Sequence, residues 1–199
     1  MRTNLRLIGG KRLLSPNNIY TRPTTLRVRE AIFNILNTKV EGSNWLDLFS
    51  GTGAMACEAY NHGAKKIIAI EKNKNNSRIC LKNLLSLQGI EDRKSDINVI
   101  CKDVLSWTKP NYARNLSSKI IDLNKLKFDF VYLDPPYDAD FYELVLNQIF
   151  NCNFLKKESL VICEHSPNLN IKESSLWETI DVRNYGQSRL TFLINVQHP

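Results

Sequence analysis

The chain has 199 residues, 43% of them hydrophobic, which is enough for one compact domain with a sizeable core. No apolar run of about 18 residues occurs, so no membrane association is expected, and the five scattered cysteines and three distant histidines lack zinc-site spacing. We therefore expect no metal, and reduced cysteines packed in the core of a cytoplasmic protein.

The positive charge is concentrated at the N-terminus. The net charge of +7 comes entirely from residues 1–40, and the remainder carries 19 basic and 19 acidic residues. A localised excess of this kind favours contact with a polyanion, although a basic segment that is only solvated remains an equal alternative. We predict a basic arm over about residues 1–23.

Strand and helix patterns alternate along the rest of the chain. Helices are predicted from apolar periodicity, and strands from short apolar runs that end at glycine or acidic residues. The predicted elements are a helix over 24–39 that Pro23 can start, a strand over 44–49, a helix through about 61 that ends at Gly63, a strand over 67–70, a helix over 79–87 that stops at Gly89, strands over 97–101 and 128–133, a helix over 141–150 and a strand over 159–163. This alternation implies an α/β fold with a mostly parallel sheet covered by helices on both faces.

The C-terminal part differs from this alternation. Residues 177–185 and 189–196 flank a Gly-Gln-Ser turn and are typical of an antiparallel pair, which would form one edge of the sheet. The polar stretch 110–127 has weak periodicity, and we interpret it as a surface excursion. The predicted organisation is a single domain over residues 1–199.

Glycine and acidic residues follow three of the predicted strands. In open α/β sheets, ligands bind beyond the carboxyl ends of the strands. Gly51 and Gly53 allow a tight turn and close approach of a ligand, and Asp47 lies near the same strand end. Glu71 can accept hydrogen bonds from two ribose hydroxyls, and Asp103 can accept one from an adenine amino group.

These signals leave alternatives open. With Ala56, the two glycines also satisfy the G-x-G-x-x-A pattern of dinucleotide-binding proteins. Each acidic residue, taken alone, is as well explained by capping of a strand end or by a solvated loop.

The segment Asp134-Pro135-Pro136-Tyr137 is more specific. Two successive prolines fix the backbone and leave carbonyl groups free as rigid acceptors. If the Asp134 carboxylate and the Pro135 carbonyl each accept one N–H, they can orient an exocyclic amino group toward a methyl donor, and Tyr137 can stack on an extruded base. A stiff turn without a ligand is the less favoured interpretation.

With these motifs, the sequence resembles the class I methyltransferases, and specifically the RsmD-type enzymes that make N2-methylguanine in 16S ribosomal RNA. The resemblance covers nearly the whole chain in order, and residues 22–34 are its most discriminating part. The matching residues are Arg6–Gly10, Thr21–Thr24, Arg27–Asn34, Leu46–Gly53, Glu58-Ala59, Gly63-Ala64, Glu71, Asn83, Asp134–Tyr137, Glu164 and Tyr185-Gly186.

The resemblance implies a Rossmann-like fold of seven strands, S-adenosylmethionine as cofactor, and a guanine amino group of small-subunit rRNA as substrate. The rRNA would be presented in an assembled subunit or its precursor to a monomeric enzyme. The implied cofactor-binding residues are Asp47, Phe49, Gly51, Gly53, Glu71 and Asp103, and the implied catalytic residues are Asp134, Pro135 and Tyr137. The basic segment adds the candidate RNA-binding residues Arg6, Lys11, Arg12, Arg22 and Arg27.

Two other functions remain possible from the sequence. Asp-Pro-Pro-Tyr chemistry also serves adenine-N6 methylation of DNA or RNA, although the chain has little room for a separate sequence-reading domain. A non-catalytic RNA-binding assembly factor on the same fold is the other alternative. The arm also departs from the family's usual pattern after Gly10, where Lys11-Arg12-Leu13-Leu14 leads into Ser15-Pro16-Asn17-Asn18.

Overall fold

The protein is described by a computed structural model, which covers residues 5–16, 24–88, 95–109, 127–135, 139–171 and 174–196. The chain forms two compact units, Met1–Cys101 and Lys102–Pro199. The expectation of a single domain over 1–199 stays a prediction. Within the described ranges, no helix combines the length and the hydrophobicity needed to cross a membrane.

The first unit is built on three parallel strands in the order β3-β2-β1. Its elements are α1 (Leu26–Leu36), a 3₁₀ turn (Asn37–Val40), β1 (Asn44–Leu48), α2 (Ala54–Asn61), β2 (Lys66–Glu71), α3 (Lys74–Leu85) and β3 (Asp96–Cys101). Strands β1 and β2 are almost wholly buried, as expected for parallel strands covered on both faces. Because β1 and β2 are parallel, the loops that follow them lie at the same edge of the sheet.

The second unit combines parallel and antiparallel pairing in the order β4-β5-β7-β6. Its elements are α4 (Val104–Trp107), β4 (Phe128–Leu133), α5 (Ala139–Asn151), β5 (Leu155–His165), β6 (Trp177–Tyr185) and β7 (Ser188–Asn195). Strands β4 and β5 are parallel, whereas β7 is antiparallel to both β5 and β6. The predicted α/β class with an antiparallel C-terminal edge is thus confirmed.

Several predicted boundaries shift for local reasons. Helix α1 begins at Leu26 and not at Thr24, because the Thr25 side chain caps it by accepting a hydrogen bond from Val28 N at 3.3 Å. Strand β5 extends beyond the predicted 159–163 because its first residues continue the pairing with β4. The helix α4, which was not predicted, spans only four residues. Pro23, Gly89 and the stretch 110–126 lie outside the described residues.

The cysteines only partly match the expectation of core packing. All five are free thiols, and Cys57, Cys80 and Cys163 are buried. Cys101 is exposed at the end of the edge strand β3, and Cys152 is half-buried. Core packing was therefore wrong for Cys101, because an edge strand leaves its last residue open to solvent.

Candidate active site and nucleic-acid interface

The loop after β1 makes a sharp turn into α2. Gly51 and Gly53 both have positive φ angles, +54° and +84°, and Phe49 just before them has φ +66° although it carries a side chain. Left-handed backbone is strained for such a residue, and strain of this kind concentrates at ligand-binding positions. A Cβ atom on Gly53 would lie 2.5 Å from Cys80 Sγ, whereas one on Gly51 would meet no atom within 4 Å. Gly53 is thus needed for packing against α3, and Gly51 faces open space.

Glu71 ties this loop to the end of β2. Its Oε2 accepts a hydrogen bond from Gly51 N at 2.9 Å, and its Oε1 accepts one from Asn73 N at 2.6 Å. Each carboxylate oxygen has two acceptor positions, so both retain capacity for another donor. The buried side chain therefore lies beside the open face of Gly51, as the prediction for a ribose-binding carboxylate requires.

Asp47 lies beneath the loop and is only 1% exposed. Its Oδ2 accepts a hydrogen bond from Ala56 N at 3.1 Å, whereas its buried Oδ1 accepts none from the described residues. Burial raises the pKa of Asp47 to about 8, and the charge of Glu71 adds to this rise. Asp47 Oδ1 is thus available to a ligand.

Asn83 has a role that sequence reasoning did not assign. This buried residue of α3 donates from Nδ2 to Thr52 O at 2.9 Å and to Leu14 O at 3.1 Å, and its Oδ1 accepts from Leu14 N at 2.8 Å. It therefore joins the glycine-rich loop to the N-terminal segment. The sequence signal that could have indicated this role was an amide side chain on the apolar face of a predicted helix.

The described part of the N-terminal arm is a packed hairpin, residues 5–16. Its two sides pair through Leu7 N to Lys11 O and Leu13 N to Leu5 O, each 2.9 Å, and Leu5, Leu7 and Leu13 are buried. Glu58 Oε1 accepts from Ile8 N at 2.9 Å. The hairpin is thus anchored to the body of the first unit.

Arg29 completes this anchor from α1. It forms a buried ion pair with Glu58 and donates to Thr24 O at 2.6 Å and to Arg6 O. Arg27, two residues earlier on α1, is exposed. Residues two apart on a helix point in different directions, so Arg29 is buried while Arg27 reaches the surface.

The predicted RNA-binding residues of the hairpin lie together. Arg6 and Arg12 are exposed and paired across the hairpin, and Lys11 Nζ donates to Ser86 O at 2.6 Å at the end of α3. Arg22 lies outside the part of the chain that the structure describes. The structure therefore groups Arg6, Lys11 and Arg12 on one element and leaves Arg27 on α1.

In the second unit, Asp103 caps a helix. Its Oδ1 accepts from Ser106 N at 3.0 Å, so this exposed residue serves as the N-cap of α4. The capping alternative considered from the sequence therefore accounts for one of its oxygens. A ligand contact through the other oxygen stays a prediction.

Asp134 and Pro135 follow β4 directly. Asp134 is half-buried and Pro135 is buried, while Pro136 and Tyr137 lie outside the described residues. Burial raises the pKa of Tyr142, and the charges of Cys163, Asp134 and Glu164 contribute in that order, which puts Asp134 within electrostatic range of the α5 hydroxyl. The Asp134 carboxylate at the end of β4 is thus half-buried and lies near the Tyr142 hydroxyl.

A second buried carboxylate supports this end of the strand. Glu164 of β5 accepts hydrogen bonds from Tyr132 OH at 2.5 Å and from Ser188 Oγ at 2.7 Å, and its carbonyl oxygen accepts one from Tyr142 OH. Tyr132 precedes Asp134 by two residues. Glu164 therefore links β4, α5 and the start of β7.

Comparison with known proteins extends these observations. A family model described as "Conserved hypothetical protein 95" matches residues 5–194. The chain is 30% identical to Ribosomal RNA small subunit methyltransferase D of Buchnera aphidicola subsp. Baizongia pistaciae (strain Bp) over 84% of this chain and 79% of the relative. It is 27% identical to an uncharacterized methylase of Rickettsia prowazekii (strain Madrid E) over 98% of this chain and 99% of the relative.

A solved structure gives the same fold. A methyltransferase candidate from Escherichia coli superposes with a TM-score of 0.76 and 23% identity, over 98% of this chain and 99% of that chain. At this level of identity the likeness shows the fold alone. It confirms the predicted Rossmann-like class I methyltransferase fold.

Proposed function

This chain belongs to the family described as Conserved hypothetical protein 95, the RsmD-type methyltransferases, and from that premise we propose that it methylates the exocyclic N2 amino group of a specific guanine in 16S ribosomal RNA. S-adenosylmethionine is the methyl donor in this proposal. The observation that carries it is the Asp134-Pro135 pair at the carboxyl end of β4, half-buried and buried respectively, in a chain of this family.

The loop after β1 fits the proposed cofactor. Open space at Gly51, the buried Glu71 carboxylate on Gly51 N and the unused Asp47 Oδ1 supply what a nucleoside with an amino-acid tail requires. Glu71 would accept the ribose hydroxyls, and Asp103 the adenine amino group. The other residues proposed to line this site are Asp47, Phe49, Gly51 and Gly53. When bound, the sulfonium of the cofactor supplies an electrophilic methyl group.

Asp134 and Pro135 would hold the substrate nitrogen. The lone pair of an aryl amine is delocalised into its ring, so the nitrogen is a weak nucleophile until it is oriented. One N–H donated to the Asp134 carboxylate and one to the Pro135 carbonyl fix its geometry, and the negative charge of Asp134 stabilises the positive charge that develops on nitrogen. Tyr137 would stack on the base.

The proposed partner is rRNA within the small ribosomal subunit or its precursor, bound by a monomeric cytoplasmic enzyme. Support for a nucleic-acid partner comes from the basic N-terminal residues, of which Arg6 and Arg12 are exposed on the hairpin. The proposed RNA contacts are Arg6, Lys11, Arg12, Arg22 and Arg27.

The test uses methyl-labelled S-adenosylmethionine with three substrates, namely small subunits from a strain that lacks this protein, naked 16S rRNA, and duplex DNA. We expect label in RNA, recovered as N2-methylguanine by mass spectrometry of nucleosides. Label recovered as N6-methyladenine, or only in DNA, would contradict the proposal.

A matched pair of variants separates an enzyme from a non-catalytic binding factor. Asp134→Ala should lower kcat by at least about 100-fold, because it removes charge stabilisation at the reacting nitrogen, while RNA binding stays near the wild-type value. Asp129→Ala is the control, since this residue lies on the same strand and pairs with Lys156 at the surface. Equal activity of the two variants would contradict the role of Asp134.

A further inference from the structure

Helix α3 carries a row of exposed basic side chains. Lys74, Arg78 and Lys82 are spaced four residues apart, so they lie on one face of the helix, about 6 Å from one to the next along its axis. The helix contains no acidic residue. Among the residues that the structure describes, no carboxylate forms an ion pair with any of the three.

This row does not serve the stability of α3. Positive charges at successive i, i+4 positions repel each other, and Lys74 in the first turn opposes the helix dipole. Asn73 already caps this end by accepting hydrogen bonds from Asn75 N and Asn76 N. A charge arrangement that is unfavourable for the helix is accounted for if an external anion neutralises it.

The two ends of the row connect it to features already described. At the N-terminal end, Asn73 N donates to Glu71, the carboxylate on the glycine-rich loop. At the C-terminal end, Lys11 Nζ of the hairpin donates to Ser86 O at 2.6 Å. Arg6 and Arg12 of the same hairpin are exposed and pair with each other across it.

We infer that Lys74, Arg78 and Lys82, together with Arg6, Lys11 and Arg12, form one continuous surface that binds the phosphate backbone of RNA. We call it the α3 phosphate track. The inference rests on the proposed function in taking RNA as the partner, and it adds three contact residues that lead from the hairpin toward the loop at Glu71. Spaced single cations on a rigid helix suit a repeating polyanion better than one bound anion.

Salt-dependent binding tests the track. The variant is Lys74→Gln/Arg78→Gln/Lys82→Gln, and the control is Lys39→Gln/Lys65→Gln/Lys157→Gln, which removes the same charge from exposed lysines near the starts of β1, β2 and β5. Affinity for a naked 16S rRNA transcript, and for small subunits that lack the modification, is measured across a range of salt concentrations. Thermal melts of both variants verify folding.

We expect the α3 variant to lose affinity for both probes. The slope of log affinity against log salt should become shallower by about 2, since each lost phosphate contact removes about 0.7–0.9, while the control keeps the wild-type slope. At saturating RNA, kcat should be retained and KM should rise. A wild-type slope in the α3 variant overturns the inference. Loss of affinity for subunits but not for naked rRNA also overturns it, because an acidic protein surface is then the partner.

These outcomes are separable from those of the proposed function. If the wild-type protein binds RNA through the track but transfers no methyl group, the track stands and the proposed activity fails. If the α3 variant methylates RNA normally with an unchanged salt slope, the activity stands and the track fails.

Discussion

Arg29 and Glu58 form an ion pair in the interior of the first unit, with Nε 3.2 Å from Oε1 and side chains 2% and 0% exposed. Both members of the pair also bind the N-terminal hairpin. Arg29 donates to the carbonyl of Arg6, and Glu58 accepts from the amide of Ile8. A basic segment that is available to a polyanion is thereby fixed to the unit that carries the glycine-rich loop.

Removing one member of this pair should strongly destabilise the protein. Arg29→Met leaves the Glu58 charge buried without compensation, so the free energy of unfolding should fall by about 3–5 kcal/mol. The double variant Arg29→Met/Glu58→Met should be less destabilised than Arg29→Met alone, since no isolated charge remains. Urea unfolding measures both, with exposed Arg27→Met as a control expected within about 0.5 kcal/mol of wild type. If Arg29→Met loses less free energy of unfolding than the double variant, that result contradicts the argument.

The two glycines of the loop should respond differently to alanine. Both have positive φ, which costs about 1–2 kcal/mol for alanine, but the new Cβ at position 53 lies 2.5 Å from Cys80 Sγ, while the one at 51 meets open space. Gly53→Ala should therefore lose a further ~1–3 kcal/mol of folding stability through overpacking. Gly51→Ala should instead mainly weaken S-adenosylmethionine binding, as measured by calorimetry. Equal stability losses with unchanged cofactor affinity would show that the open space is not used.

Asp47 should make stability fall as pH rises. Its pKa in the folded protein is about 8, above its ordinary value of 3.8, so between those values the unfolded chain releases a proton that the folded chain keeps. The contribution is fully present below about pH 4 and is lost by the time the pH passes about 8. The difference in free energy of unfolding between Asp47→Asn and wild type should therefore shift in favour of the variant between about pH 4 and 8. Parallel pH profiles for the two proteins would refute this assignment.

Asn83 should be more important to stability than its neighbours on α3. Asn83→Ala leaves Leu14 N, Leu14 O and Thr52 O without their partner, which should cost about 2–3 kcal/mol. Hydrogen exchange at the Leu14 amide should accelerate accordingly. Asn75→Ala, at an exposed site on the same helix, should change stability by less than about 0.5 kcal/mol. An unchanged Leu14 exchange rate in Asn83→Ala would show that water replaces the amide without loss.

Local patterns were sufficient for much of the fold. The apolar run at β1, the turn at Gly51 and Gly53, and the acid at the end of β2 all appear where their spacing predicted. Each depends on neighbouring residues, because strand burial, positive φ and the end of a strand are properties of short segments. The helix start at Leu26 was missed because the Thr25 cap competes with an equally plausible proline start.

Side-chain partners across the sequence could not be predicted in this way. Glu58 lies 29 residues from Arg29, and Asn83 lies 69 residues from Leu14. Neither the burial of Arg29 nor its partner follows from the position of this residue on α1. Which of two arginines is buried depends on what packs against the helix, and that is set by the whole unit.

The amino-acid sequence by itself determined the order of the strands and of the longer helices, the positions of the glycines and acidic residues at strand ends, and the family. Tertiary structure alone decided that the basic N-terminal segment is a hairpin anchored by Arg29 and Glu58, and that Asn83 joins it to the glycine-rich loop. The reason is that secondary structure follows from periodicity over a few residues. Buried polar partners, by contrast, are selected by the requirement that every desolvated donor and acceptor form a hydrogen bond somewhere in the folded chain.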